Sequence, residues 1–109
     1  MRITKREPTT PGEMLQEGFM KPYGLTQGQL AELLGVERRR INEFIVGRRK
    51  LTADTARRLA RLFGNTPQFW MKLQLKTDLW EALHNNPKED EYESIQPLSA
   101  LEQGDKVRV

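Results

Sequence analysis

Residues 26–47, TQGQLAELLGVERRRINEFIVG, contain the signals of two short helices separated by a tight turn. Thr26 and Gln29 have the spacing of a capping box, in which each side chain accepts a hydrogen bond from the backbone N–H of the other residue. Gly35 and Gly47 each follow a run with helical periodicity, at the position where glycine commonly ends a helix. The stretch therefore predicts two helices, one before each of these glycines.

Two helices joined by a short turn that contains glycine form a helix-turn-helix unit, whose second helix can enter the major groove of DNA. The unit needs a small residue where its helices cross closely, and Ala31 stands at that position. Val36 would fill the gap beneath the turn, and Ile41 would pack the second helix on the core. Any short helical hairpin could match one or two of these positions by chance, but this chain matches all of them. The spacing therefore predicts a helix-turn-helix unit.

Caps of the same kind predict three further helices around this unit. Thr10-Pro11-Gly12-Glu13 opens the first helix, which we expect to end near Met20 because Pro22 follows. Helix start and stop signals later in the chain predict a fourth and a fifth helix. The predicted helices cover about residues 11–20, 27–34, 37–46, 53–63 and 67–85. The fold class is therefore predicted to be all-α, with five helices in one domain.

The end of the chain differs in charge from the rest. Its last 25 residues contain three Lys or Arg against six Asp or Glu, whereas residues 1–84 carry a net charge of +6. Alternating stretches at 92–97 and 106–109 are too short to predict strands. We expect a domain over residues 1–86 and a flexible acidic tail over 87–109, with ordering of the tail on a partner as the alternative.

The composition excludes several classes of protein. The chain has 109 residues, no cysteine and a single histidine, His84. These counts exclude disulfides, cysteine–zinc sites, thiol catalysis and a histidine-rich metal centre. No apolar run approaches the roughly 20 residues needed to cross a bilayer, and no apolar stretch follows the basic N-terminus as it would in a signal peptide. We therefore expect a cytoplasmic protein that is not an enzyme and holds no cofactor or metal.

Basic residues concentrate in the middle of the chain. Residues 38–61 contain nine Arg or Lys against two acids, Glu43 and Asp54, which is a net charge of +7. Such a concentration within a folded segment favours a polyanionic partner. The alternative is a solvated helical face, but the acids that usually alternate with basic residues on such a face are largely missing. The charge pattern therefore predicts nucleic-acid binding.

The fifth predicted helix has apolar residues on two sides. A helix on the surface of a domain needs only one apolar stripe. We therefore expect one stripe to seal the domain and the other to contact a second copy of the chain, and the alternative is that both stripes are buried in one core. The residues assigned to dimerisation are Trp70, Leu73, Thr77 and Trp80. The second stripe consists of Met71, Leu75, Leu79 and Ala82.

Several stretches of the chain resemble those of a known family. Residues 11–13 (PGE) and 30–36 (LAELLGV) resemble the Cro/repressor-type helix-turn-helix domains. Residues 51–60 (LTADTARRLA) and 66–74 (TPQFWMKLQ) resemble, more narrowly, the HigA/VapI-type antitoxins. The resemblance covers roughly residues 8–83. It implies an antitoxin that silences a small ribonuclease toxin of the RelE/HigB type and, as a dimer, binds inverted-repeat operator DNA and represses its own operon.

The resemblance also implies DNA contacts at particular positions. In the repressor pattern, Arg38, Arg39 and Glu43 match base-facing positions, with Asn42 beside them. Arginine can bind guanine, and asparagine can bind adenine, through paired hydrogen bonds. Gln27 matches a position that clamps phosphate at a helix N-terminus.

Geometry limits how many of the basic residues can reach bases. Three consecutive arginines, 38–40, fan through about 200° around a helix, so they cannot all enter one groove. We expect Arg40 at phosphate or solvent. For Arg39, an intrahelical ion pair with Glu43 is the alternative to base contact. The residues expected at flanking phosphates are Arg48, Arg49 and Lys50.

Two positions depart from the family's pattern. Glu37 stands where Ser or Thr commonly opens the recognition helix, and Val46 stands where Asn often precedes the closing glycine. A carboxylate suits the N-terminal end of a helix dipole. DNA phosphates repel it, however, unless it accepts a hydrogen bond from a cytosine amino group. We count Glu37 among the DNA-facing residues, and we do not expect the operators of relatives to carry over to this chain.

Two other functions stay open from the sequence. A stand-alone Cro/repressor-type transcriptional regulator without a toxin partner would share every feature before residue 66. A protein-interaction module that has lost DNA binding would not need the net charge of +7 in the middle of the chain.

Overall fold

The computed structural model describes residues 7–85 and 87–101, and within these ranges it contains helices and no strand. Helix α1 consists of three consecutive segments, Pro11–Glu13, Met14–Met20 and Lys21–Tyr23. The next four helices are α2 (Gln27–Leu34), α3 (Arg38–Ile45), α4 (Ala53–Phe63) and α5 (Pro67–His84). Two short helices follow, α6 (Glu89–Glu93) and α7 (Leu98–Leu101). The predicted all-α fold is confirmed.

Helix α1 runs past the point where we expected it to end. Pro22 lies within its last turn, and Gly24 ends the helix in the left-handed conformation, with φ of 65°. The Met14–Met20 segment is π-helical, and the Lys21 N–H donates to the Gln16 carbonyl five residues earlier. A π-helical turn moves carbonyls away from the positions where a proline ring would clash. The expected end was wrong because it assumed regular α-helical winding before the proline.

Threonine hydroxyls cap the N-terminal ends of α1, α2, α4 and α5 as the sequence predicted, whereas α3 begins after Glu37 without a side-chain cap. An N-cap hydroxyl satisfies one of the backbone N–H groups that have no partner inside the helix, and it contributes about 1 kcal/mol. The three bonds outside the capping box join Glu13 N–H to Thr10 Oγ1 at 3.1 Å, Thr55 N–H to Thr52 Oγ1 at 3.3 Å, and Phe69 N–H to Thr66 Oγ1 at 3.1 Å.

One apolar core holds the five helices of the domain together. The largest fully buried side chains come one from each helix, and they are Leu15, Leu30, Ile41, Leu59 and Trp70. Burying a large apolar side chain stabilises a fold by about 1.5–3 kcal/mol. The Trp70 indole N–H is also satisfied, because it donates to Asn65 Oδ1 at 2.8 Å. The core therefore fixes α2 and α3 relative to the other three helices.

Two residues that a regular α-helical period would place on the inward side of their helices are exposed. Leu33 is 58% exposed, while its neighbours Leu30 and Leu34 are buried. Gly18 lies in the π-helical part of α1 and is also exposed. Because π-helical winding changes the number of residues per turn, an α-helical period assigns this part of α1 to the wrong face.

The C-terminal segment is more exposed than the domain. Every described residue from 87 to 101 is exposed. The alternating stretch 92–97 contains the end of α6 and no strand, and the stretch 106–109 lies outside the described residues. Helix α5 ends next to Asn85, as expected, and no helix within the described residues is long and apolar enough to span a membrane. The division into a domain over 1–86 and a tail over 87–109 stays a prediction.

Candidate nucleic-acid interface

The turn between α2 and α3 has the geometry that a helix-turn-helix unit requires. The predicted capping box is present, with Gln29 N–H donating to Thr26 Oγ1 at 3.1 Å and Thr26 N–H donating to Gln29 Oε1 at 2.9 Å. Gly35 takes the left-handed conformation, with φ of 70°. The N–H groups of Gly35 and Val36 then donate to carbonyls in the last turn of α2, at 3.2 and 3.0 Å. This pattern ends α2 sharply and aims the chain into α3.

Helix α3 presents one face to the core and the opposite face to solvent. Ile41 and Phe44 are buried. Arg38, Arg39 and Asn42 are exposed. Because these are side chains that bind guanine and adenine edges, the exposed face has the chemistry of a base-reading surface.

Helix α1 supports the far end of α3 through a close backbone contact. A Cβ atom added to Gly12 would lie 2.7 Å from the Phe44 carbonyl oxygen and 2.8 Å from the Ile45 carbonyl oxygen. Both distances are shorter than any side-chain carbon tolerates, and the atoms that it would meet belong to backbone. Only glycine therefore allows α1 to approach α3 this closely.

The start of α2 is joined to the exposed face of α3. Asn42 Nδ2 donates to Gln27 Oε1 at 3.3 Å. The sequence assigned Gln27 to phosphate and Asn42 to a position beside the bases. The structure brings the two side chains into contact, at the N-terminal end of α2 where backbone N–H groups attract anions.

An open groove of about 670 Å³ runs beside α3. Its walls come from the turn after α2 and from charged residues of α3 and the segment that follows. The lining residues are Gly35, Val36, Glu37, Arg39, Arg40, Glu43 and Arg49. Five residues that the sequence assigned to DNA binding therefore share one concave surface.

Within this groove, Glu43 receives two arginine side chains. Arg49 Nη2 donates to Glu43 Oε1 at 3.1 Å, and Arg39 Nε lies 3.5 Å from the same oxygen. The Arg39 side chain is 84% exposed, whereas that of Glu43 is only 23% exposed. The intrahelical pair of Arg39 with Glu43, which the sequence left as an alternative, is therefore present in the structure.

Asp54, at the start of α4, receives two other arginines. Arg40 Nη2 donates to Asp54 Oδ2 at 2.8 Å, and Arg40 also donates to the Thr55 hydroxyl. Arg58 Nε donates to the same Asp54 oxygen at 3.0 Å, and Arg58 Nη1 donates to the Leu34 carbonyl at 2.8 Å. The hydrogen bond from Arg40, followed by that from Arg58, lowers the pKa of the Asp54 carboxyl below its ordinary value of 3.8.

These bonds give Arg40 a role that sequence reasoning missed. We expected its side chain at phosphate or solvent, but it joins α3 to α4 and is only 28% exposed. Arg58 likewise joins α4 to the end of α2. The scarcity of acids in this segment could have pointed to these ion pairs. Asp54 is one of only two acids among residues 38–61, so several basic residues are available to each acid as partners.

The segment after α3 is fastened to α5. Lys50 Nζ lies 3.3 Å from Asp78 Oδ1. The backbone N–H of Leu51 donates to Oε1 of the buried Gln74 at 2.9 Å, and Gln74 Nε2 donates to Asp78 Oδ1 at 2.9 Å. Lys50 therefore has a carboxylate partner within the protein, whereas Arg48 is exposed and has no ion pair within residues 7–85 and 87–101.

The residues assigned to dimerisation divide into two groups. Trp70 has 0% exposure and lies in the core, so its assignment to a surface that contacts a second copy was wrong. Leu73, Thr77 and Trp80 are partly exposed. The Trp80 ring stacks on His84 with 4.6 Å between ring centroids, and its enclosed indole N–H has no hydrogen-bond partner within the described residues. Of the four residues, only Leu73, Thr77 and Trp80 therefore offer surface to a partner.

The fold and this interface define a protein of the helix-turn-helix class. A family profile described as "Helix-turn-helix" matches residues 19–70. The chain is 43% identical over 98 residues to antitoxin HigA-1 of Vibrio cholerae, and the match covers 90% of each chain. The chain therefore belongs to the HigA family of antitoxins.

Two solved structures with the same fold contain DNA. Pseudomonas aeruginosa antitoxin HigA, solved with the higBA promoter, is 36% identical with a TM-score of 0.75, over 84% of this chain and 98% of that chain. Antitoxin GraA, solved in complex with its operator, is 34% identical with a TM-score of 0.77, over 90% of this chain and 98% of that chain. These relatives and HigA-1 are named as antitoxins, not as enzymes.

Proposed function

We propose that this protein binds operator DNA, with α3 in the major groove. The observation that carries the proposal is the exposed face of α3, where Arg38, Arg39 and Asn42 lie opposite the buried Ile41 and Phe44. The family relationship supports it, because two relatives are solved with promoter or operator DNA. Such a protein would act in the cytoplasm, on nucleoid DNA.

In this proposal, the DNA-facing residues have different tasks. Arg38 and Arg39 read base edges. Gln27 contacts phosphate, and its hydrogen bond with Asn42 holds these two side chains together at the start of α2. Arg48 and Arg49 contact flanking phosphates. Arg40 and Lys50 contribute less directly, because their carboxylate partners, Asp54 and Asp78, lie on other helices, whereas Arg39 and Arg49 pair with Glu43 of α3 itself.

The experiment is a titration of labelled duplexes at several salt concentrations. One duplex is the DNA upstream of the protein's own gene, and the other has the same composition in random order. We expect tighter binding to the first duplex and a linear fall of log affinity with log salt, because each neutralised phosphate adds about 0.9 to the slope. Equal affinity for both duplexes across the salt range would contradict specific binding.

We further propose that the DNA-binding form is a homodimer joined through α5. Leu73, Thr77 and Trp80 form a partly exposed stripe on this helix. A single DNA-binding module buries only about 600–1,000 Å² of its own surface on DNA, which is little for a tight and selective complex. Two copies related by a two-fold axis would double the contacts and would require an inverted repeat, with half-site centres about one helical turn or a multiple of it apart.

Trp80→Glu tests this interface, because it places a carboxylate in the apolar stripe. We expect the variant to remain helical, to sediment as a monomer, and to keep only weak, salt-sensitive DNA affinity. Lys72→Glu is a matched control on an exposed position of α5. A Trp80→Glu protein that stays dimeric would locate the interface elsewhere, and a wild-type monomer on a single half-site would rule out the symmetric complex.

We also propose that the protein neutralises a ribonuclease toxin of the RelE/HigB type and represses its own operon. Membership of the HigA family supports this proposal. The exposed acidic segment after Asn85 suits a basic toxin. The second candidate function is a stand-alone transcriptional regulator, and a neighbouring reading frame that encodes a small basic protein would favour the antitoxin.

Co-expression with that neighbouring gene tests neutralisation. We expect the full chain to relieve the growth arrest that the toxin causes. A chain that stops after Asn86 tests the tail separately: if it neutralises as well as the full chain does, the folded helices carry the inhibition. If the full chain never relieves the arrest, the stand-alone regulator is the better description.

A further inference from the structure

We propose that Glu43 determines DNA specificity by holding two arginines, without reading a base itself. This inference rests on the proposed DNA-binding function. Glu43 lies on α3, in the groove that the predicted DNA-facing residues line, and its side chain is 23% exposed. A carboxylate at such a surface repels phosphates, so its presence requires a compensating role.

The first role concerns the orientation of Arg39. The ion pair joins Arg39 Nε to Glu43 Oε1 at 3.5 Å. Because the carboxylate engages Nε, the two terminal nitrogens of the guanidinium are left for an outside partner. Paired bonds from an arginine to O6 and N7 of guanine use such a fork, and each well-formed pair contributes about 1–3 kcal/mol of discrimination against the wrong base. Glu43 therefore acts as a positioning residue for Arg39.

The second role concerns the charge of Arg49. Arg49 Nη2 donates to the same Glu43 oxygen at 3.1 Å. A phosphate must compete with this carboxylate for the Arg49 guanidinium. Contacts to phosphate supply almost all of the affinity for non-specific DNA. Glu43 therefore weakens binding to every duplex, and only a site that offers a base contact to Arg39 recovers the loss.

Glu43→Gln removes the charge while keeping the size of the side chain. Affinity for a random duplex should rise about threefold near 0.1 M salt, and the salt slope should steepen by about half a unit, because Arg49 then completes a phosphate contact that Glu43 weakens in the wild type. Affinity for a duplex selected by the wild-type protein should rise less. The ratio of the two affinities should therefore fall by about twofold to threefold.

Glu32→Gln is the control for net charge. Glu32 is an exposed carboxylate on α2 and has no ion pair within the described residues. This variant loses the same charge and should change neither the salt slope nor the specificity ratio. Circular dichroism on both variants should match the wild type, because neither substitution touches the core.

Combining Glu43→Gln with Arg39→Ala separates the two roles. In the Arg39→Ala background, Glu43→Gln should still raise affinity for random DNA through Arg49, but it should lower the specificity ratio no further.

Equal effects of Glu43→Gln and Glu32→Gln would overturn the proposal, because net charge alone would explain them. A loss confined to the selected duplex would also overturn it, because Glu43 would then read a base. If the wild-type protein binds no duplex, the proposed function itself fails, before any variant is compared.

Discussion

Glu43 and Asp54 are the two acids of the basic segment, and each receives two arginines, yet the two clusters differ in where they lie. The partners of Asp54, Arg40 and Arg58, come from α3 and α4, and Arg58 also reaches the end of α2. Glu43 instead receives Arg39 of its own helix and an arginine from the segment just after it. The Asp54 cluster therefore joins three helices, whereas the Glu43 cluster lies on the exposed groove beside α3.

The difference shows how one local arrangement serves two purposes. Asp54 and its arginines hold α3 at a fixed angle to the rest of the domain, which a rigid reading helix requires. Glu43 keeps arginines at the surface in a defined orientation while cancelling part of their charge. The net charge of +7 in this segment therefore overstates the charge that is free to meet DNA.

The largest expected effect is a loss of DNA affinity, and it should differ between the two arginines of the Glu43 cluster. Arg39→Ala should cost about 1–3 kcal/mol of binding, mainly on the cognate site, because it removes a base contact. Arg49→Ala should weaken all duplexes similarly and reduce the salt slope by about half a unit to one unit, because it removes a phosphate contact for which Glu43 already competes. Titrations of cognate and random duplexes at several salt concentrations measure both quantities. Equal losses on the two duplexes for Arg39→Ala would remove its assignment to base reading.

A smaller effect is expected in the Asp54 cluster, and it concerns stability. Arg58→Met keeps the aliphatic stem but loses the bonds to Asp54 and to the Leu34 carbonyl. Because the side chain is partly exposed, we expect the free energy of unfolding to fall by only about 1–2 kcal/mol. Equilibrium urea unfolding measures the change. Arg57→Met, at an exposed position of α4, is the matched control and should stay within about 0.5 kcal/mol of wild type.

The specificity ratio sharpens the same comparison. Arg58→Met should bind cognate and random duplexes in the wild-type ratio at a temperature where it is fully folded. A change in that ratio without a loss of stability would show that the Asp54 cluster takes part in reading DNA, and the distinction between the two clusters would not hold.

Local signals explain why the five helices could be predicted. The capping box at Thr26, the glycine at position 35 and the threonine caps act within a few residues, so the sequence carries them directly. The π-helical winding of α1 was missed because no such signal marks it, and the proline at position 22 pointed the other way. The resemblance to the HigA family is confirmed, and it depended on short motifs rather than on composition.

The ion pairs between helices could not be predicted, because they depend on distances that only the packing of the helices sets. Arg40 and Asp54 are 14 residues apart in the chain, and only the packing of α3 against α4 brings them together. Helical periodicity likewise placed Trp70 and Trp80 on one stripe of α5. This helix has 18 residues, and its first part lies in the core while its later part extends to partly exposed surface. Periodicity gives the side of a helix and not the depth at which each turn is buried.

The smallest expected effect is the pH dependence of the Asp54 cluster. The bonds from Arg40 and then Arg58 lower the pKa of Asp54 in the folded protein below its ordinary value of 3.8. The folded state therefore favours the charged carboxylate, and the stability that it contributes is fully present above the unfolded pKa and is lost as the pH falls through the folded pKa. Asp54→Asn should be less stable than wild type near neutral pH, and this difference should shrink as the pH falls below about 3.8.

Urea unfolding of both proteins at about pH 6 and about pH 2.5 measures the two differences. The effect should be modest, because the carboxylate is exposed to solvent. A difference in stability that is the same at both pH values would mean that the Asp54 side chain supports the three helices through its shape or neutral hydrogen bonds, and not through its charge.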